Sequence, residues 1–433
     1  MKHIFKLLVI VFMTHISFGQ NLYFPPVTGD DWATTSPDTM NYCSDNIKKL
    51  YDFLDENNTK AFLLLKDGKI VLEKYFDDHT ANSLWYWASA GKTLTAFMVG
   101  LAQQEGFLNI NDKTSDYLGK GWTNCNATQE DKISIRHQLT MTTGLDDGVE
   151  DPFCTLKNCL AYKAEAGSRW AYHNAPYTLL DQVIVKATGS NLNTYIIQKL
   201  KNKTGITGAF IPSGYNNVFF STARNMARFG LLILNKGNWN GLRIMTDTTY
   251  FHNMTHRSQE LNEAYGYLWW LNGSSSFMVP QSQFRFPGSM CPDAPENMIA
   301  AMGKNGQFLN VVPGQNLIWV RMGDATDDSD VSFLLNNKIW KYINELTCSA
   351  SSIDRISDTY LTIFPNPAMD HIKIISDLSI KKIKIIRVST GFQKTITSDF
   401  NDIDVTDLSP GLYFIEIMND DGSVKYHRII INP

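Results

Sequence analysis

The hydrophobic pattern changes character near residue 350, and that break decides how the chain divides. Before it, residues 41–57 carry Ile47, Leu50, Tyr51 and Leu54 at helical spacing. Apolar runs at 61–65 and 70–75 flank Lys66-Asp67-Gly68, a hairpin signature. Residues 89–104 read as the next strong helix, with Leu94, Phe97, Met98 and Leu101 inward, and a mostly helical stretch follows to about residue 240. Strand patterns return at 265–271, 298–302, 307–312 and 316–321, the last two flanking Pro313-Gly314, and a helix over 331–346 closes the region. This order implies an α+β architecture, an antiparallel sheet flanked by N- and C-terminal helices with a mostly helical insert. Beyond the break, short alternating strands such as 371–375 and 412–417 are punctuated by Gly391, Pro410-Gly411 and Asp421-Gly422, which describes a small all-β sandwich. The expected division is a domain at 30–348, a linker at 349–358 and a second domain at 359–433.

Residues 1–19 have the form of a signal peptide. Lys2, His3 and Lys6 precede an apolar stretch at 7–13, and Ser17 and Gly19 supply small residues before Gln20. Export fits the six cysteines, an even number that favours disulfides in an oxidising compartment. Cys154 and Cys159 are near enough in sequence to close a local loop. A net charge of −4 gives no reason to expect nucleic acid as a partner. His252 and His256 share a helical face but lack the glutamate of H-E-x-x-H, so they read as surface histidines, and neither metal nor cofactor is expected.

Three short segments carry chemistry. Ser89-Ala90-Gly91-Lys92 places a hydroxyl and an amine one helical turn apart at a helix start, where a serine gains a neighbouring base and backbone N–H groups favour developing negative charge. Tyr172-His173-Asn174 supplies a phenol able to shuttle the serine proton, with Asn174 toward the substrate and His173 facing away. Lys304-Asn305-Gly306 opens the strand pattern at 307. On a strand, Lys304 and Gly306 would face the pocket together, and the Gln307 N–H would complete an oxyanion hole with that of Ser89. Each has a decoy elsewhere: Ser379-x-x-Lys382 in the β-tail, Tyr215-x-Asn217 in a loop, and Lys66-x-Gly68 in the hairpin. Order and structural setting separate the two sets.

Ser89-x-x-Lys92, Tyr172-x-Asn174 and Lys304-x-Gly306, in this order, resemble the superfamily of serine β-lactamases, D-alanyl-D-alanine carboxypeptidases and esterases. Residues 138–145, Tyr265-Gly266-Tyr267 and 302–307 support the likeness, which covers about residues 40–347. The Tyr-x-Asn form is similar to the class C, carboxypeptidase and 6-aminohexanoate-dimer-hydrolase branches. The resemblance implies a β-lactamase/transpeptidase-like fold and an acyl-enzyme on Ser89, with Lys92 and Tyr172 sharing base duty. Asn174, Lys304, Gly306 and Gln307 would contact an ester or amide substrate, a small molecule or a peptide. A penicillin-recognising sensor without efficient turnover is the alternative on the same fold. No G-x-S-x-G elbow occurs, which sets aside an α/β-hydrolase. Asn305 stands where a β-lactamase carries Thr or Ser, which favours esterase, amidase or peptidase chemistry over penicillinase. The tail resembles the sorting domain of type IX secretion cargo, through Phe364-Pro365-Asn366-Pro367, Pro410-Gly411-Leu412-Tyr413 and residues 428–431. That implies surface or extracellular delivery and the secretion machinery as partner; a monomer is expected.

Overall fold

A computed structural model describes residues 22–324, 329–348, 361–376, 379–388, 391–420 and 422–432. The signal peptide and the linker expected from sequence lie outside the described residues. Six antiparallel strands form the central sheet, in the order Lys69–Tyr75, Thr59–Lys66, Leu317–Gly323, Gln307–Val312, Ile299–Gly303 and Trp270–Leu271. Both hairpins read from sequence are present, and Asp67 and Gly68 take the positive φ values, 51° and 82°, that a tight hairpin turn requires. Residues 61–65 and 307–312 are all buried because helices cover both faces of the sheet. That is why these strands read as continuous apolar runs and not as alternating ones.

On one face lie the first helix, α1 (Ser44–Glu56), and the last helix of this region, Phe333–Asn344, with Phe53 stacked on Tyr342 at 4.5 Å. The Cys43–Cys348 disulfide staples the two ends of the domain, and Cys154–Cys159 closes the local loop that their spacing implied. On the other face the helix Ala223–Leu234 packs so closely that a Cβ on Gly230 would come within 2.6 Å of Leu309.

The stretch expected to be mostly helical contains a β-hairpin, Ala209–Ser213 with Asn216–Ser221, to which Trp85–Tyr86 adds a third strand. Its period-2 pattern is short and masked by aromatic residues on both faces: Phe219 is fully buried and Phe220 half-buried. Tyr215 lies in the turn of this hairpin, which accounts for that decoy. Conversely, 265–271 is strand only at Trp270–Leu271, where Leu268 at φ 61° has interrupted the extended run.

The C-terminal region is two small antiparallel sheets, of three and four strands, closed around Ile372, Ile383, Ile385, Ile415, Ile417 and Ile429. It also touches the first domain. Phe414 meets Phe286 at 4.7 Å, and the Arg428 guanidinium donates to the Ser289 carbonyl at 3.2 Å.

A buried carboxylate behind the sheet of Ala209–Ser221 adds a cost that depends on pH. Asp181, on the helix Leu180–Thr188, accepts from Asn217 Nδ2 at 2.8 Å, and burial pushes its pKa from 3.8 up to about 7. Its folded-state pKa is raised, so its favourable contribution is complete below pH 3.8 and is lost as pH rises toward 7. Asp181→Asn is therefore expected to raise the melting temperature more at pH 8 than at pH 5. Thermal denaturation at both pH values checks this, and an equal or reversed gain contradicts it.

Candidate active site

Ser89 is presented by a bend whose anchor is Trp87. This fully buried indole donates from Nε1 to Ser221 Oγ at 2.8 Å, and the Trp87 backbone N–H bonds the Phe219 carbonyl at 2.8 Å. Ala88 then turns the chain at φ 46°, an uncommon conformation for a residue with a side chain. A short 3₁₀ turn, Ala88–Gly91, leads into α2 (Lys92–Gln104). Ser89 thus stands half-exposed above the helix start, while Lys92 lies beneath it at 2% exposure.

Lys92 Nζ donates to Ser89 Oγ at 2.8 Å and to Asn174 Oδ1 at 2.7 Å. The rings of Tyr177 and Tyr172 face the same nitrogen, at 4.1 and 5.0 Å to their centroids. Among the described residues no acid pairs with it. Burial lowers the Lys92 pKa to about 7, with the more distant charge of Asp330 pulling weakly the other way. The amine is therefore poised to give up or take a proton near neutrality.

The Tyr172 hydroxyl is buried near Ser89 and has no hydrogen-bond partner among the described residues. Its ring stacks on Trp270 at 5.6 Å, and burial holds its pKa well above the ordinary phenol value. Tyr172 is thus a neutral phenol at physiological pH. His173, which sequence spacing turned away from the site, is buried, and desolvation lowers its pKa to about 4. Ser89, Lys92, Tyr172 and Asn174 come together as the spacing implied. His252 and His256 are exposed and stacked on each other at 3.8 Å.

The third segment is arranged differently from the expectation. Residues 304–306 do not continue a strand but form a tight turn between Ile299–Gly303 and Gln307–Val312, with Asn305 at φ 64° and Gly306 at φ 71°. Lys304 is exposed, and in a turn it does not share a pleat face with Gly306. The missing side chain of Gly306 makes room for protein and not for substrate: a Cβ there would lie 2.3 Å from the Arg321 guanidinium. Arg321 is fully buried and donates to the Asn305 and Gly306 carbonyls at 3.0 and 2.7 Å, so it holds the turn from below. Asn305 gives its amide to Tyr86 Oη at 2.7 Å. The Gln307 side chain is inward, bonded to the backbone N–H and C=O of Gly323 at 3.1 and 2.6 Å.

The residue that meets the serine is Gly303. A Cβ on it would fall 3.0 Å from the Ser89 nitrogen, 2.9 Å from that of Ala90 and 2.5 Å from the Trp87 carbonyl oxygen. The end of the strand Ile299–Gly303 therefore lies directly against the turn bearing Ser89, and the next N–H along it belongs to Lys304. Gly303, Arg321, Tyr86 and Tyr177 were not singled out from sequence. Gly303 stands two residues from its neighbours on the same face, and only the strand register would have marked it.

Residues 57–332 match the family model described as Beta-lactamase, and residues 362–432 match that of a secretion system C-terminal sorting domain. The chain belongs to the beta-lactamase family. Its fold is shared with a putative 6-aminohexanoate-dimer hydrolase from Bacillus anthracis, at 18% identity and TM-score 0.57 over 74% of this chain and 89% of that one. A penicillin-binding protein homologue from Caulobacter crescentus aligns at 12% identity and TM-score 0.55, over 70% of this chain and 98% of its own. A family VIII carboxylesterase aligns at 14% identity and TM-score 0.51, over 70% and 98%. Penicillin-binding protein 4* of Bacillus subtilis is 30% identical over 151 residues, 31% of this chain and 30% of that protein's length. The family is one of serine hydrolases, and the sorting domain marks the chain for type IX export to the cell surface or beyond and for contact with the secretion machinery.

In this beta-lactamase-family chain the tight contact at Gly303 has a direct test. Gly303→Ala is expected to leave a folded protein with hydrolytic activity reduced by about a hundredfold or more, because displacing the Ser89 turn by a fraction of an ångström would spoil a near-attack geometry. Circular dichroism and ester hydrolysis measured on the same preparation check it, and unchanged activity would remove Gly303 from the site.

Proposed function

We propose that this chain is an exported serine hydrolase that cleaves ester or amide bonds through an acyl-enzyme on Ser89. The observation that carries this reading is the 2.8 Å contact between Ser89 Oγ and a buried lysine whose pKa lies at about 7. In its neutral form Lys92 takes the serine proton as Oγ attacks the carbonyl carbon. Asn174 holds the amine in line through its 2.7 Å bond. Negative charge collects on the former carbonyl oxygen beside the Ser89 N–H, with the Lys304 N–H at the end of the Gly303 strand as second donor in place of that of Gln307. Tyr172, kept protonated by burial, passes a proton to the departing alkoxide or amine and recovers it through Lys92. Water then attacks the acyl carbon, its proton returns along the same groups, and Ser89 is released.

Substrate preference follows from the third segment. On the strand face shared with Gly303, the residue two positions earlier is Ala301, so no cation is fixed there to grip a substrate carboxylate. Lys304 is exposed and Asn305 is held by Tyr86, so neither replaces it. Neutral esters and amides fit such a site better than substrates that must anchor an acid group, and penicillins are expected to be poor substrates.

Ser89→Ala is expected to abolish both turnover and labelling by a fluorophosphonate while the far-UV circular dichroism stays unchanged. Intact-mass measurement with ester, amide and β-lactam panels reads the adduct. An adduct that persists would describe a sensor, and labelling of the Ser89→Ala protein would place the nucleophile elsewhere.

The pH dependence of acylation separates the two proton carriers. Lys92 is active when deprotonated, so kcat/KM is expected to rise with pH through an apparent pKa of about 7 and level off above it. Tyr172→Phe is expected to lower the plateau by roughly 10²–10⁴-fold and leave that rising limb in place. Lys92→Ala is expected to remove the limb. A limb lost with Tyr172 and kept without Lys92 would exchange their roles.

A further inference from the structure

We propose that Tyr177 is a positioning residue of the reaction: the face of its ring stabilises the positive charge that the Lys92 amine acquires when Ser89 gives up its proton. This rests on the reading of Ser89 as nucleophile and Lys92 as its base. As the bond from Ser89 Oγ to the substrate carbon forms, the carbonyl π pair moves to oxygen and the hydroxyl proton moves to Lys92 Nζ. An ammonium ion then stands where a neutral amine stood, with three N–H donors. Ser89 Oγ at 2.8 Å and Asn174 Oδ1 at 2.7 Å take two of them, and among the described residues no other oxygen bonds the nitrogen. The Tyr177 ring lies 4.1 Å from it to the centroid, closer than the Tyr172 ring at 5.0 Å and within the range at which a cation is drawn to an aromatic face.

The ring is fixed in that place. Asn174 and Tyr177 stand three residues apart on the helix Asn174–Thr178, so the amide oxygen and the ring approach Nζ from one helical face. Gln138, itself buried, donates from Nε2 to the Pro176 carbonyl at 2.6 Å, and the Thr178 hydroxyl donates to the Asn174 carbonyl at 3.0 Å. Lys92 and Tyr177 are both buried, and a cation–π contact gains strength where its partners are out of water.

The surrounding charges leave the ring this task. Burial keeps the phenols of Tyr172, Tyr177 and Tyr265 protonated, and at Tyr177 the charge of Asp181 adds to the effect. Tyr177 therefore presents a neutral ring and not a phenolate. Asp181, four residues further along, accepts its hydrogen bond from Asn217, and Asp330, whose charge acts on Lys92, accepts one from Gln281 at 2.7 Å. Neither carboxylate bonds the amine. A ring face attracts a cation more weakly than a carboxylate in contact, so it steadies the transferred proton without keeping the amine charged beforehand.

The experiment uses the full chain and reads the titration of Lys92 in two ways. One is the rising limb of kcat/KM against pH. The other is the ¹³Cε chemical shift of lysine-labelled protein without substrate, with the Lys92 signal assigned by its absence from Lys92→Met. Tyr177→Leu keeps an apolar side chain but removes the π face. It is expected to move both titrations to lower pH by about one unit and to lower the plateau of kcat/KM. Tyr177→Phe keeps the face and is expected to leave both titrations in place. Where the leucine variant fails to fold by circular dichroism, phenylalanines with one, two and three ring fluorines at position 177 keep the shape and weaken the face, and a downward shift that grows with fluorine number is expected. No shift overturns the proposal. An upward shift also overturns it, because the ring would then be a barrier to water or to Asp181. A shift in Tyr177→Phe as large as that in Tyr177→Leu would assign the effect to the hydroxyl and overturn it as well. A lowered amine titration in a chain that hydrolyses no ester or amide supports the ring contact and counts against the reading of Ser89 alone.

Discussion

The side chains around Ser89 are arranged about one lysine kept out of water. An ammonium group buried without an acid partner is costly, and the protein meets that cost by letting Lys92 fall to a pKa of about 7. Two tyrosine rings and the side-chain amide oxygen of Asn174 surround the nitrogen, and Ser89 Oγ is its other hydrogen-bond partner among the described residues. A carboxylate in contact would have held the amine in its charged form. The charge of Asp330 acts on Lys92 only as a minor opposing influence.

The sheet supplies the rigidity this arrangement needs. Trp87 is locked to the hairpin of Ala209–Ser221 through two hydrogen bonds, and Gly303 presses on the other side of the same bend. Between them the turn bearing Ser89 is held from both flanks. Arg321 does a comparable task one layer lower, tying the turn at residues 304–306 to Thr59 and to the strand on which it sits. The staple between Cys43 and Cys348 links the two helices that cover the far face, so the domain is closed at both ends of its chain.

The sorting domain brings its own isoleucine-rich core and needs no help from the enzyme to bury it. Its contact through Phe414 and Arg428 is therefore an addition to that core.

Local spacing was enough to mark Ser89, Lys92, Tyr172 and Asn174, because an i, i+3 pair on a helix and a two-residue step at a helix entry carry their geometry with them. The hairpins at Asp67-Gly68 and Pro313-Gly314, the bounding helices and the break before the β-tail were legible for the same reason, each resting on a period or a turn within a few residues. The hairpin at 209–221 was not, since its aromatic residues fill both faces and hide the alternation. Nor was the meaning of the third motif. Lys304-Asn305-Gly306 has the right letters, but whether three residues continue a strand or turn between two depends on the register of Gly303 opposite Gln307 and on a buried arginine reaching in from a neighbouring strand. Those are distances between segments far apart in sequence. The lysine's lowered pKa belongs to the same class: the identity of residue 92 was written in the chain, while its loss of water was decided by Tyr172, Tyr177 and Asn174 closing over it in three dimensions.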